Sequence, residues 1–293
     1  MGRLAIRSRR PRRQARRQGA GRPQRTTRRG HVINQNLHRN PVPLDNVQHR
    51  QLRVALPVTD WAPASRLNAI FVCATEFTDV GREYPIVFVR VGKEGDGGDQ
   101  IAPVAVLGVT QDQNLYLDGA RWRGAYIPAV LRSYPFCIGR VDEQSFAICV
   151  DMSWGGVQPA GGDGQALFEG DGKAAPLARA RPPPSARPEG ESQPPPAAGA
   201  RLLELDLLRD MRFDATLPDG RTHTVDGFLT VDQEKAQNLP DAVVGELHRS
   251  GVLGMIQLHW ASLGIMRRLL EWHGARLPVT AAAQAAPRAG SAA

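Results

Sequence analysis

The feature that most restricts the fold of this chain is a repeated pattern of two apolar, β-branched segments separated by a turn. Residues 83–91 (EYPIVFVRV) and 101–109 (IAPVAVLGV) flank the glycine-rich turn GKEGDGGDQ, and residues 211–232 bracket a PDG turn. Another pair spans residues 137–151, with the acidic DEQ at its tip. Segments joined in this way form antiparallel hairpins, so the chain must build a largely antiparallel sheet.

Helical patterns lie mainly toward the C-terminus. Residues 201–211 are amphipathic, residues 232–251 begin at Asp232 as a plausible N-cap, and residues 252–274 carry apolar side chains at 3.6-residue spacing. One short helix is predicted within residues 125–136. Because the strands come in hairpins rather than alternating with helices, we predict an α+β fold: a mostly antiparallel sheet built from hairpins, with C-terminal amphipathic helices.

Composition divides the chain into one candidate domain, two tails and an insert. Residues 1–39 are predicted to be a disordered Arg-rich tail, residues 40–275 the domain, and residues 276–293 a disordered Ala-rich tail. Residues 171–200, with eight prolines and no aromatic side chain, predict a linker that interrupts the domain. A pair of compensating frameshifts is the alternative explanation for this insert. Likewise, the tail is either translated or lies upstream of a true start at Val32.

The net charge of +8 belongs to the N-terminal tail. Twelve of the 37 basic side chains are arginines in residues 1–30, which leaves 25 basic against 29 acidic side chains, a net charge of −4, for the rest. A nucleic-acid-binding domain carries its positive charge on its folded surface. We therefore do not expect the domain to bind nucleic acid. Nucleic-acid binding stays an alternative that depends on the Arg-rich tail alone.

Several features predict a cytoplasmic protein. No segment reaches the roughly 18 apolar residues of a membrane span, and the N-terminus lacks the apolar stretch of a signal peptide. The three cysteines, Cys73, Cys137 and Cys149, are widely spaced and are interpreted as buried apolar residues in a reducing compartment. The cell envelope or surface, reached by a route without an N-terminal signal, is the alternative location.

The familiar catalytic and cofactor motifs are missing from the sequence. It contains neither HExxH nor CxxC, and its glycine-rich segments match neither the dinucleotide-binding nor the P-loop pattern. His259 and His273 share a helix face but would lie about 21 Å apart, too far for one metal ion. His259 is instead interpreted as a hydrogen-bonded core histidine. We therefore expect no metal site and no cofactor, and leave open whether the chain is an enzyme.

Acidic side chains at the ends of apolar segments are the first candidates for a ligand site. Glu76 and Glu83 flank a segment predicted to be a short turn, where they could form a carboxylate pair for acid–base chemistry. Asp151 ends an apolar strand, a position where acids often contact ligands. A structural role, such as a cap or a turn, is the alternative for all three.

Aromatic rings close to an arginine form the second group of candidates. Tyr84, Tyr126, Arg132 and Tyr134 lie around short segments that contain proline. An arginine beside aromatic rings suits a carboxylate, a phosphate or a sugar. The alternative is that the rings belong to the core and Arg132 to the surface. The ligand-binding candidates are thus Glu76, Tyr84, Tyr126, Arg132, Tyr134 and Asp151.

Eight short segments, taken together in their order, carry a resemblance to a known family. They are VPLDNVQHRQLRV (42–54), Glu76–Phe77, Tyr84–Phe88, VAVLGV with NLYLD, YIPAVLRSYPF (126–136), FAICVD (146–151), LPDGRTHTVDGFLTVD (217–232) and LPDAVVGELHRSGVLGMIQLHWASL (239–263). In these segments the chain resembles the bacterial SapC proteins over roughly residues 40–155 and 201–273. The insert at residues 171–200 and the Arg-rich tail depart from the family pattern.

The resemblance implies little about the function of the chain. The SapC family takes its name from an association with a bacterial surface layer and has no established biochemical activity. It therefore implies an accessory or binding protein with a protein partner or a small ligand. The surface-layer association implies that the protein works with an envelope system. An enzyme or small-molecule receptor with a dispersed site is the first alternative, and nucleic-acid binding through the Arg-rich tail is the second.

Overall fold

The computed structural model describes residues 4–8, 34–94, 98–140, 146–170, 172–173, 175, 196–216 and 222–276. Residues 277–293, most of the Pro-rich insert and most of the Arg-rich tail lie outside these residues, although Ala175 and Ala198 of the insert are buried and its last residues, from Pro196, belong to a helix. Within the stretch predicted to be a disordered tail, Leu4–Ser8 form a strand, and Leu37 and His38 are buried. The packed part of the chain therefore starts before residue 40.

Strands and short helices alternate irregularly along the described chain. In chain order the strands are Leu4–Ser8 (β1), Pro41–Pro43 (β2), Arg53–Val54 (β3), Ala69–Phe71 (β4), Ile86–Glu94 (β5), Gly98–Val106 (β6), Leu117–Asp118 (β7), Arg121–Trp122 (β8), Phe136–Arg140 (β9), Phe146–Asp151 (β10), Val157–Gln158 (β11), Gln165–Ala166 (β12), Leu208–Thr216 (β13) and Thr222–Val231 (β14). The α-helices are Phe77–Glu83 (α1), Ala129–Arg132 (α2), Pro196–Glu204 (α3), Gln233–Gln237 (α4), Asp241–Arg249 (α5), Val252–Leu263 (α6) and Met266–Arg276 (α7). Ala62–Arg66 and Ala74–Glu76 are 3₁₀ turns.

The largest sheet has six strands in the order β1-β13-β14-β5-β6-β4, and every pairing in it is antiparallel. Two of its hairpins, β5–β6 and β13–β14, are those that the sequence predicts. The predicted hairpin at residues 137–151 is also present, as β9 and β10, and it pairs with β2 in a separate three-stranded sheet. The α+β prediction is confirmed.

The six-stranded sheet is buried on both faces. On β5, Val87 belongs to one apolar cluster and Phe88 to another, because successive side chains of a strand point to opposite faces. The first cluster contains side chains of α1 and α7, and the second contains Leu247 of α5 and Ile256 of α6. Apolar burial on two faces explains why the β5 sequence reads as a nearly continuous run of Val, Ile and Phe.

Polar side chains of α6 fasten the helix to the sheet. The His259 ring accepts a hydrogen bond from the Val231 N–H at 3.1 Å and lies 2.7 Å from the Ile86 carbonyl, to which its other nitrogen donates. Ser262 accepts a bond from the Ile86 N–H at 2.9 Å, and the Trp260 indole donates to the Val231 carbonyl. The prediction that His259 is a hydrogen-bonded core histidine agrees with this geometry.

Three local predictions are wrong. The segment between Glu76 and Glu83 is the helix α1 rather than a turn, because Phe77 and Val80 share one buried face. The predicted helix at residues 252–274 is two helices that meet near Gly264. The predicted helix at residues 201–211 ends early, because the apolar side chains from Leu208 onward alternate with the period of a strand and join the sheet.

His259→Phe should destabilise the protein by roughly 2–5 kcal/mol, because it leaves a buried N–H and a buried carbonyl without partners while keeping the ring contact with Phe88. The measurement is the free energy of unfolding from urea denaturation at neutral pH. His38→Phe is the matched control: His38 is equally buried, but neither ring nitrogen has a hydrogen-bond partner, so its loss should change stability by less than about 1 kcal/mol. Equal losses in the two variants would contradict this account of His259.

Candidate functional site

A cleft of about 790 Å³ opens beside the end of β10. Its walls come from four stretches of chain: Arg39, residues 55–63, Tyr134, and the glycine-containing loop that joins β10 to β12. The residues that line it are Arg39, Ala55, Leu56, Pro57, Thr59, Asp60, Ala62, Pro63, Tyr134, Ser153, Trp154, Gly155, Gly156, Asp163, Gly164 and Gln165. The volume is that of a typical small-molecule site.

The carboxylate of Asp151 lies beneath this cleft and holds three of its walls together. Asp151 is fully buried at the end of β10. Its Oδ2 accepts hydrogen bonds from the Arg39 N–H at 3.2 Å and from the Tyr134 hydroxyl at 3.1 Å. Its Oδ1 accepts from the Asn40 N–H at 3.0 Å, and from the Ser153 N–H and hydroxyl at 3.1 and 2.6 Å. One side chain therefore fixes Arg39, Tyr134 and Ser153 relative to one another.

The hydrogen bonds keep Asp151 ionised despite its burial. Burial alone raises the pKa of this carboxyl, but the bonds from Ser153, Asn40 and Arg39 outweigh it and hold the pKa below its usual range. The neighbouring His38 responds differently, because burial outweighs every interaction that favours a charged ring. Burial lowers the pKa of His38 to about 4, against the opposing attraction of Asp151 and of backbone groups of Phe136 and Asn34. At neutral pH the pair is an anion beside a neutral ring.

Two aromatic rings meet at the cleft. Tyr134, which is almost fully buried, and Trp154 are arranged edge to face with ring centroids 5.5 Å apart, and the His38 ring lies 5.7 Å from Tyr134. Trp154 is half-buried and packs against two separate apolar clusters. Burial and then the charge and hydrogen bond of Asp151 raise the pKa of the Tyr134 hydroxyl, so it stays protonated as a donor.

Short strands hold the glycine-containing wall in place. Both β11 and β12 pair with the two-residue strand β3. The Arg53 guanidinium donates to the Gly164 carbonyl at 2.7 Å, and a Cβ atom at Gly164 would lie only 2.6 Å from the backbone of Val54. Only glycine allows this close approach of two backbones. The wall is thus fixed by backbone contacts on β3.

The other carboxylate candidates serve a network away from this cleft. Glu76 is buried and accepts bonds from the Cys73 N–H at 2.9 Å, the Ala129 N–H at 2.7 Å and the Tyr126 hydroxyl at 3.0 Å. Arg132 stacks on the Tyr126 ring, with the guanidinium carbon 5.2 Å from the ring centroid. Glu76 therefore ties the start of α2 to the start of α1.

Glu83 and Tyr84 extend the same network. The Glu83 carboxylate accepts bonds from the N–H groups of Ala125 and Tyr126, at 2.8 and 3.1 Å. The buried Tyr84 hydroxyl donates to the Tyr126 carbonyl and accepts from the Trp122 indole at 2.9 Å. Burial raises the pKa of Tyr84, as it does for Tyr126. These contacts fasten the 122–126 loop onto α1.

The structure thus separates the six predicted site residues into two groups. Tyr134 and Asp151 are bonded to each other at the cleft, whereas Glu76, Tyr84, Tyr126 and Arg132 belong to the network around α1 and α2. Sequence reasoning missed Arg39, Asp60, Ser153, Trp154 and Asp163, which line the cleft. Arg39 was assigned to the tail, and the glycine-rich run after Ser153 was tested only against nucleotide-binding motifs.

Searches for other kinds of site gave no candidate within the described residues. No cluster of three or more His, Cys, Asp or Glu side chains in that part of the chain is arranged to hold a metal ion. Of its helices, none combines the length and the apolar character that a bilayer crossing requires. Its three cysteines are buried, and burial together with the charge of Glu76 raises the pKa of Cys73 to about 12.

Comparison with known proteins gave one match. A family model described as SapC matches residues 44–269, which include most of the cleft and the whole α1–α2 network. No curated protein and no solved structure matches the chain.

The stability of the protein should fall below pH 6.5 partly because of His38. Above that pH the ring is neutral in both the folded and the unfolded chain. Below it the unfolded chain binds a proton that the folded chain rejects until about pH 4, so stability is lost across this window as pH falls. One such histidine contributes a slope of about 1.4 kcal/mol per pH unit.

Urea denaturation of the wild type and of His38→Phe at several pH values tests this. Between pH 6.5 and about pH 5, the wild type should lose about 2 kcal/mol more than the variant. Parallel stability curves for the wild type and His38→Phe would show that His38 is protonated in the folded protein.

Proposed function

The chain belongs to the SapC family, and we propose that it is a binding protein that holds a small polar ligand in the cleft over Tyr134 and Trp154. One observation carries this proposal. A buried carboxylate, Asp151, positions three separate walls of a single cleft, and that cleft is lined by the half-buried ring of Trp154 together with polar groups. Sites for small molecules combine these features.

The rigidity of the walls supports binding. Five hydrogen bonds to Asp151 fix one side of the cleft, and the backbone contacts of Gly164 on β3 fix the other. A site that is already formed does not have to order its side chains when a ligand arrives, which improves affinity.

A catalytic role has one observation in its favour, which is weaker. The Ser153 hydroxyl faces the cleft and donates to Asp151 at 2.6 Å, a pairing of a nucleophile type with a carboxylate. However, the pKa of Asp151 is held below the usual range, and its lone pairs are occupied by five donors. A weakly basic, saturated carboxylate is a poor general base near neutral pH. Binding is therefore the function that the site supports better.

The wider setting of the binding protein is part of the same proposal. Under this proposal the protein works with a surface layer or another envelope system, which the family name suggests, and its location is either the cytoplasm or the cell envelope. Under this proposal the ligand or a protein partner would come from that system. Nucleic-acid binding through the Arg-rich tail is independent of the cleft, which has no stripe of basic residues.

A variant that fills the cleft tests the proposal. Gly155 lines the cleft, and a Cβ atom there would meet nothing within 4 Å, so Gly155→Phe adds a ring in open space. The measurement is a thermal-shift screen of the full chain against amino acids, short peptides, saccharides and nucleotides. A ligand at a hundredfold excess over its Kd should stabilise the wild type by about 2.7 kcal/mol. Gly155→Phe should weaken that ligand at least tenfold.

Gly170→Phe is the matched control. Gly170 is equally open but does not line the cleft, so this variant should bind as the wild type does. A ligand that binds wild type, Gly155→Phe and Gly170→Phe equally well occupies another part of the molecule. That result, or the absence of any stabilising ligand in the panel, would count against the cleft as the functional site.

A further inference from the structure

The cleft contains charges of both signs that do not pair with one another. Arg39, Asp60 and Asp163 all line it, and all three are exposed. Among the residues that the structure describes, none of the three forms an ion pair, although seventeen other side chains do. Resting on the proposed binding function, we infer that the ligand is a small zwitterion: an α-amino acid or a short peptide with an apolar side chain.

Arg39 is placed to bind the carboxylate of such a ligand. Its backbone N–H is fixed by Asp151, while its guanidinium remains available at the cleft. The guanidinium is close enough to Tyr134 to lower the pKa of the hydroxyl against the stronger effect of burial. Guanidinium groups bind carboxylates through two parallel hydrogen bonds, and the interaction strengthens when water is partly excluded.

Asp60 and Asp163 are placed to bind the ammonium group. Asp60 acts on the Tyr134 hydroxyl from the same cleft, with the opposite sign to Arg39. One of its oxygens accepts the Ala62 N–H at 2.9 Å, which orients the carboxylate. Asp163 lies on the glycine-containing wall, just before the residue that Arg53 holds. A ligand ammonium can donate to both carboxylates because it carries three N–H bonds.

The charges that line the cleft favour a zwitterion over a polyanion, a polycation or a neutral ligand. One guanidinium and two carboxylates give the cleft a net charge of −1, which disfavours nucleotides and other polyanions. A polycation would be repelled by Arg39, and a neutral saccharide could form hydrogen bonds to these groups but would supply no opposite charge for any of the three. A ligand with one carboxylate and one ammonium satisfies both kinds of group.

The remaining surface of the cleft favours an apolar or aromatic side chain on the ligand. Trp154 offers a half-buried ring, and Leu56, Pro57 and Pro63 line the opposite stretch. The volume of about 790 Å³ exceeds that of a single amino acid, which leaves room for a dipeptide. L-Phenylalanine, L-leucine and L-alanyl-L-phenylalanine are therefore the probes of choice.

Calorimetric titration of the full chain with blocked ligands tests the inference. N-acetyl-L-phenylalanine lacks the ammonium and L-phenylalaninamide lacks the carboxylate, so each should bind at least tenfold more weakly than L-phenylalanine. Arg39→Gln should weaken the binding of L-phenylalanine at least tenfold and leave the binding of the amide unaffected. Asp60→Asn should also weaken the binding of L-phenylalanine at least tenfold, but it should leave the binding of the acetylated form unaffected. Removing the protein group and the ligand group of one contact, first singly and then together, isolates the contribution of that contact to binding. Arg121→Gln and Asp226→Asn, exposed residues outside the cleft, should change nothing.

The outcomes separate this inference from the binding function. If both blocked forms bind as tightly as L-phenylalanine, or if maltose or a nucleotide binds and the amino acids and dipeptide do not, the ligand is no zwitterion, although the cleft still binds. Failure of every probe and of the wider thermal-shift panel would overturn both proposals. Loss of binding in Arg121→Gln equal to that in Arg39→Gln would show a general charge effect instead of a carboxylate contact.

Discussion

The cleft depends on a single buried carboxylate. Asp151 has no exposed surface, so its charge has lost its hydration and must be compensated by the protein. Compensation comes from five N–H and O–H donors rather than from a cation, and those donors belong to three different stretches of chain. Each stretch is held at the distance that a hydrogen bond requires. A neutral ring, His38, lies beside the carboxylate, and its burial keeps it uncharged at neutral pH. The electrostatic cost of burying Asp151 is thus what positions Arg39, Tyr134 and Ser153 around the cleft.

Glu76 is a second buried carboxylate, in another part of the molecule, whose charge is compensated by hydrogen bonds. It too is buried, and it too accepts bonds from donors far apart in the sequence, the N–H groups of Cys73 and Ala129 and the hydroxyl of Tyr126. Neither carboxylate is paired with a buried arginine or lysine in the described contacts. Compensation by hydrogen bonds has a structural consequence that an ion pair lacks, because N–H and O–H donors are directional and therefore fix orientation as well as distance. Both irregular regions of the fold, the loops around α2 and the loops of the cleft, are organised in this way.

The sequence predicts the regular parts of the fold well and the cleft poorly, for one physical reason. Hairpins such as β5–β6 leave a local signal, since the apolar run and the glycine-rich turn are contiguous. The helix α1 left a weaker one, because only Phe77 and Val80 mark its buried face within seven residues. Asp151 also has a local signal, because it ends an apolar strand, and Tyr134 has one because it lies next to an arginine in a proline-containing segment. Arg39, Asp60 and Asp163 sit in exposed, irregular stretches more than 20 residues apart, and only the pairing of β3 with β11 and β12, together with the bonds to Asp151, brings those stretches to one cleft.

The contrast between the two kinds of charge explains why binding is the function that this site supports. Asp151 is buried, saturated with donors and held as a weak base, so it has no capacity left for a reacting molecule. Arg39, Asp60 and Asp163 are exposed and form no ion pairs with the described residues, so their capacity for hydrogen bonding is nearly intact. A catalytic carboxylate needs the reverse arrangement, with an available lone pair and a pKa near the working pH. Under the proposed binding function, the buried charge supplies rigidity and the exposed charges supply recognition, because a rigid cleft whose charges of both signs form no ion pairs with described residues is complementary to a ligand that carries both.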